Sequence, residues 1–227
     1  MSVLPGPAGA ALADALDDVA AAWTVLSTAF GREPEQAFVD ALRTPEQLAA
    51  WPYEDPATSG GVRLLVRSGR GRDGRPESLE ALRQDHRRLF VGPRPLLAAP
   101  WESVHRSREG LVFDVQTLQV REFYRRFGLQ SPLLNKEPDD HVALEASFVA
   151  TLALRALDAL EVGDADGAEE LVAGIRSFTD QHLQQWVPDL LERVEEHAET
   201  DYHLGLAGLT RGALGQLQHL GVAPLPS

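Results

Sequence analysis

Residues 135–157 read NKEPDDHVALEASFVATLALRAL, a polar turn that becomes a strongly apolar helix. Pro138 has its φ already set for a helix's first turn, and Asp139 or Asp140 can cap the free backbone N–H groups there. Val142, Glu145, Phe148, Val149, Leu152, Ala156 and Leu160 recur at helical spacing, which predicts a central core helix over 139–161. Asp140, His141 and Glu145 then stand together at its start. Titratable groups in such a place do chemistry, bind something, or hold two parts of the chain together.

Upstream, Thr117 is expected to cap a helix running to Phe127, with Leu118, Arg121, Tyr124 and Phe127 as one stripe and Gly128 as its stop. Residues 129–137 read as a linker and a candidate hinge. Residues 92–114, GPRPLLAAPWESVHRSREGLVFD, show no clean periodicity, and a connection that long inside a compact chain is usually functional or a hinge. Nearer the start, Leu12, Leu16, Val19, Trp23, Leu26 and Phe30 predict an amphipathic helix over 10–30, stopped by Gly31. Short helices over 34–43 and 45–51 follow, each opened by a proline. A short helix over 60–68 leads into a basic loop over 67–76, read as solvated, and then a helix over 76–91. Downstream, helices are expected over 168–186, over 188–198 behind Pro188, and from Thr200 or Asp201 onward through Tyr202, Leu206, Leu209, Ala213, Leu217 and Leu220. Gly110–Phe113 is a weak strand candidate. The pattern predicts an all-α fold, one globular domain over 1–227 of roughly nine to eleven helices with a long central loop and a hinge.

Composition narrows the function. Lys and Arg number 21 against 34 Asp and Glu, a formal charge of −13. Such a chain is poorly suited to nucleic acid, whose phosphates demand basic side chains, and well suited to attract a basic partner. Lys136 is the one lysine. With no cysteine, disulfides, cysteine-ligated zinc and iron–sulfur clusters are excluded. The first residues lack the basic start of a secretory signal, and Asp14, Asp17 and Asp18 interrupt their apolar run, so a cytoplasmic location is expected.

Several chemistries can be weighed from the residues. His141 and Glu145 share a helix face, as a metal site or a general-base pair would need, but no second histidine follows in helical register. His182 and His203 would have to arrive from elsewhere. Pro100-Trp101-Glu102 offers an aromatic platform beside an acid, which suits a peptide, or else a tryptophan plugging the core. Trp23, Trp51 and Trp186 lie on helical patterns and read as core. There is no phosphate-binding loop and no nucleophile elbow. No cofactor and no metal are called for, and the residues point to binding rather than catalysis.

The order Leu89-Phe90-Val-Gly-Pro93, Pro100-Trp-Glu-Ser103, Thr117-Leu-Gln-Val-Arg-Glu-Phe-Tyr124 and Glu137-Pro-Asp-Asp-His141, with Glu145, Phe148, His182, Trp186, Pro188 and Tyr202 after it, resembles the TorD/DmsD/NarJ family of redox-enzyme maturation chaperones. The TorD/DmsD branch fits best, across residues 75–215. The resemblance implies a cytoplasmic, all-helical, non-enzymatic protein. Its partners would be the twin-arginine leader of a molybdenum-containing oxidoreductase and the apo-enzyme, which it holds while the cofactor is inserted. It further implies a monomer or a dimer swapped through the 129–137 linker. Nucleotide binding attributed to some members has no supporting residues here. The family's leader-binding surface maps onto Pro100, Trp101, Glu102, Pro138, Asp140 and His141. The residues themselves suggest Asp140, Glu102 and Glu137 for the leader's guanidinium groups, and Trp101, Leu96 and Leu97 for its apolar part. Tyr124, Glu145, His182 and Trp186 are expected to support that surface from within. Two other readings stand beside this one: a metal-dependent hydrolase built on Asp140, His141 and Glu145, and a scaffold of the NarJ kind for a partner without a leader.

Overall fold

The computed structural model describes residues 7–71, 73–93, 96–107, 112–131 and 138–221. Among them are α1 (Pro7–Gly31), α2 (Gln36–Leu42), α3 (Pro45–Ala49), α4 (Pro56–Arg70), α5 (Leu79–His86), α6 (Glu102–Arg106), α7 (Val115–Arg126), α8 (Val142–Glu161), α9 (Ala165–Phe178), α10 (Gln184–His197) and α11 (Asp201–Leu217). Two wider π turns extend this set, Arg87–Val91 after α5 and Thr179–Leu183 between α9 and α10. No strand is formed among the described residues, only a single bridge between Trp101 and His141. The fold is all-α, as the periodicity predicts.

Two helix pairs pack along their lengths and frame the core. One is α1 with α8, where the Ser27 hydroxyl donates to the Ala143 carbonyl at 2.8 Å. The other is α4 with α11. Their approach is close because glycine faces glycine. A Cβ on Gly61 would lie 2.6 Å from the Gly205 carbonyl oxygen, and one on Gly208 would lie 2.7 Å from the Gly61 Cα. A rotor of aromatic rings joins α7, α8 and α9: Phe148 meets Phe178 at 4.7 Å, and Phe123 meets Phe178 at 5.4 Å, both edge to face. Trp23 and Trp186 are fully buried, and Trp51 packs half-buried against the same core.

Several boundaries depart from the sequence reading. The helix expected over 60–68 begins at Pro56, whose missing N–H costs nothing at the first helical position, and Asp55 caps it by accepting from Ala57 and Thr58. It runs on to Arg70, so Arg67–Arg70 are helical and not loop. Gly31 remains inside α1. Asp114, not Thr117, caps α7. The buried stripe of α7 is Thr117, Val120, Phe123 and Tyr124, while Leu118 is exposed. Gly128 does end α7, at φ +65°. His141, not either aspartate, caps α8. Pro188 lies inside α10, one turn past the π turn, and does not open a helix. Of the hinge candidate only Leu129–Ser131 are described. Residues 132–137 lie outside the described residues, and so do Gly110 and Leu111 of the strand candidate.

Candidate functional site

The Pro100–Glu102 segment and the Pro138–His141 segment meet. The Val142 N–H donates to the Pro100 carbonyl at 2.9 Å and the Glu102 N–H to the Asp140 carbonyl at 3.0 Å, an antiparallel bridge of two bonds. It sets the His141 ring edge-on to Trp101 with centroids 5.6 Å apart. Both rings are half-buried, so they form a shared aromatic ridge, and the Trp101 indole N–H has no partner among the described residues. Pro100 and Pro138 are buried beneath them. The His141 Nδ1 accepts from the Ala143 N–H at 3.1 Å, which is what makes it the cap of α8. Burial pushes the imidazole down to about 4, so it is neutral near pH 7.

Under the ridge lies a layer of acids, all fully buried. Asp140 accepts from the Ser103 N–H through one oxygen and from the Thr117 hydroxyl through the other, each at 2.7 Å. This is where Thr117 is used, since Asp114 has taken its capping place. Asp139 accepts from Arg121 at 2.6 and 2.8 Å, and its carbonyl accepts from the Tyr124 hydroxyl at 3.1 Å. Glu102 pairs with Arg106 through one oxygen and accepts from His182 Nδ1 at 2.8 Å through the other. The π turn 179–183 carries His182 to that carboxylate. Glu145 accepts from the Trp186 indole at 3.2 Å. Burial, and then the charges of Glu102 and Asp140, push its carboxyl well above the ordinary carboxylate value. Tyr124 and His182 thus bond to the two segments that carry the ridge, and Glu145 and Trp186 bond to each other in the core. Glu102 and Asp140 face internal donors, and a guanidinium outside the molecule meets neither in this conformation. Glu137 lies outside the described residues.

Leu96 and Leu97 sit elsewhere on the same loop. With His105 they form one wall of a groove of about 710 Å³, whose other wall is α10 with Asp189, Glu192, Arg193, Glu196 and His197. His105 donates through Nε2 to the Ala99 carbonyl at 2.7 Å and leans on Trp186 at 5.3 Å. The groove acids did not stand out in the sequence. Their spacing of three and four residues marks one helix face, but only the packed structure sets that face opposite the two leucines.

The geometry gives little support to a metal site. Asp140, His141 and Glu145 are each engaged by internal donors, and among the described residues no three His, Cys, Asp or Glu side chains are grouped to hold an ion.

Comparison with known proteins decides the family. The model of the family described as "Nitrate reductase delta subunit" matches residues 10–192. The Tat proofreading chaperone DmsD of Salmonella typhi is 32% identical over 213 residues, which is 92% of this chain and 93% of that protein. The chain belongs to the TorD/DmsD/NarJ family of redox-enzyme maturation chaperones. A second relative, the chaperone protein TorD of Aliivibrio fischeri, is 24% identical over 156 residues, 69% of this chain and 71% of its own. Family membership makes this protein a chaperone of redox-enzyme maturation. No helix among the described residues is long and apolar enough to cross a membrane.

Proposed function

We propose that this chaperone acts in the cytoplasm, where it binds the twin-arginine leader of a molybdenum-containing oxidoreductase subunit and the apo-form of that subunit. It thereby assists cofactor insertion and proofreads export. The observation that carries the reading is the Trp101–His141 bridge. Two segments 37 residues apart are brought together over a layer of fully buried, hydrogen-bonded acids, a costly arrangement for a surface that does nothing. The Salmonella relative's name, a Tat proofreading chaperone, supports the same ligand. In this proposal Trp101, His141, Leu96 and Leu97 touch the leader. Pro100, Glu102, Pro138 and Asp140 shape the ridge. The formal charge of −13 draws the basic leader in.

Calorimetric titration with a synthetic twin-arginine leader tests this against Lys-Lys and scrambled peptides. Saturable binding of the first, weaker for the second and absent for the third, is expected. Equal heats for all three, or none, would end the reading. The family model's description as a delta subunit favours a second reading, a scaffold for a partner without a leader. Co-purification of a leaderless subunit from the native host would select it.

A further inference from the structure

We infer that the arginine pair of the leader is read by Asp189, Glu192 and Glu196 of α10, across the groove from Leu96 and Leu97. This rests on the leader-binding reading above and assigns its charge recognition to a different place from the acids under the ridge.

Accessibility comes first. Glu102 and Asp140 are 0% exposed. A guanidinium that claimed Asp140 would have to displace the Ser103 N–H and the Thr117 hydroxyl, leaving both buried without an acceptor. The new bond would then replace bonds of similar strength, with a desolvation cost added. The α10 acids carry no such burden. Asp189, Glu192 and Glu196 are all exposed. Among the described residues the charged neighbours of Glu196 are loose, Arg193 at 3.9 Å and His197 at 3.6 Å, and exposed contacts of that kind exchange readily.

Shape and charge agree. Residues 189, 192 and 196 fall on one helix face and span roughly 10 Å along its axis at 1.5 Å per residue. That length accepts two guanidinium groups, each on its own carboxylate, in the bidentate manner an ammonium cannot copy. Three carboxylates stand against one arginine, Arg193, so the groove carries an excess of negative charge. Leu96 and Leu97, half-buried on the facing wall, offer an apolar rail for residues that follow the arginines. A basic pair followed by an apolar run fits this groove, and an acidic or wholly apolar peptide does not. Asp140 and Glu102 become positioning residues that hold the loop bearing one wall.

The test uses the full chain and the leader peptide. One variant carries Asp189→Asn, Glu192→Gln and Glu196→Gln. A control carries Asp158→Asn, Glu169→Gln and Glu170→Gln, the same change of charge on α8 and α9. Near-ultraviolet dichroism checks that both fold as wild type does. The α10 variant should bind the twin-arginine leader about tenfold more weakly or worse and lose its preference over Lys-Lys, as expected when one or two charge-assisted bonds go. The control should keep both affinity and preference. A leader carrying a photo-crosslinker beside the arginines should label peptides from 184–197. Unchanged binding by the α10 variant, an equal loss in the control, or labelling only elsewhere would overturn the assignment and leave leader binding intact. If wild type binds no leader at all, the functional reading falls and this assignment with it.

Discussion

Asp85-His86 and Asp140-His141 are the same dipeptide in two regions, with the aspartate fully buried in both. Asp85 lies at the end of α5 and turns to the start of α11. It accepts from the Glu199 and Thr200 N–H groups, at 3.1 and 3.0 Å, from the Thr200 hydroxyl at 2.7 Å and from His203 Nδ1 at 3.2 Å. Burial alone would raise its carboxyl, but the bonds from His203 and Thr200 hold it well below the carboxylate range. Glu77 joins it, accepting from the Asp201 N–H at 2.7 Å, so two acids from far upstream meet the free N–H groups of one helix start. His86 follows inward and packs on Phe90 at 5.1 Å. Asp140 instead precedes its helix and points away from it, to Ser103 and Thr117. His141 then caps α8 and reaches the surface beside Trp101. One pair closes a helix end into the core. The other pins a loop and leaves its histidine where a ligand can touch it. The difference lies in which free N–H groups each aspartate meets, and the dipeptide does not encode that.

This contrast can be broken by mutation. Asp85→Ala strands three donors at once, the Glu199 and Thr200 N–H groups and the Thr200 hydroxyl, while His203 keeps Thr200 Oγ1 and Arg88 keeps the His197 carbonyl; it should cost the most, about 4 kcal/mol in urea unfolding, with no separate effect on leader affinity once the protein is folded. Asp140→Ala strands two, for an expected loss of about 2–3 kcal/mol, and should also alter Trp101 fluorescence and weaken leader binding through the loop. If Asp140→Ala left stability untouched and still abolished binding, Asp140 would be a ligand contact and the distinction would fail.

The two histidines sharpen the comparison through pH. Burial pushes both His86 and His141 to about 4, from 6.5. The unfolded chain then binds protons that the native state refuses, so their contribution to stability is full above pH 6.5 and falls as pH drops toward 4. His141→Gln should remove part of that fall without disturbing the core, while His86→Gln should also lower stability at neutral pH. Thermal melts across that window separate the two. A further effect concerns Glu145, whose raised carboxyl carries the opposite sign. Its native state holds a proton the unfolded chain has released, so stability declines as pH rises above 4.5. Glu145→Gln should flatten that decline, and a wild-type slope retained in the variant would place its origin elsewhere.

Helical periodicity was enough for α1, α8 and α11, where apolar residues repeat cleanly and Thr200 caps the last as expected. It failed at α4, because Pro56 and the Gly60-Gly61 pair read as breakers. Pro56 sits at the one helical position that needs no N–H, and Gly61 is required by the approach of α11. It failed again at Thr117 and at the start of α8, where several nearby polar residues can each cap and only long-range partners choose among them.

For the site, the motifs in Pro100–Glu102 and Pro138–His141 were legible as a pair, through residue types a peptide-binding surface uses. Their meeting across one bridge, and the burial of Glu102 and Asp140 beneath it, were not. The sequence by itself determined an all-α chain and its family, because periodicity and local motifs are properties of neighbours along the chain. The tertiary structure alone decided which carboxylates are buried and which face solvent. A carboxylate's role depends on donors more than 100 residues away for Asp85 and 23 and 37 away for Asp140, and only packing brings those donors within reach.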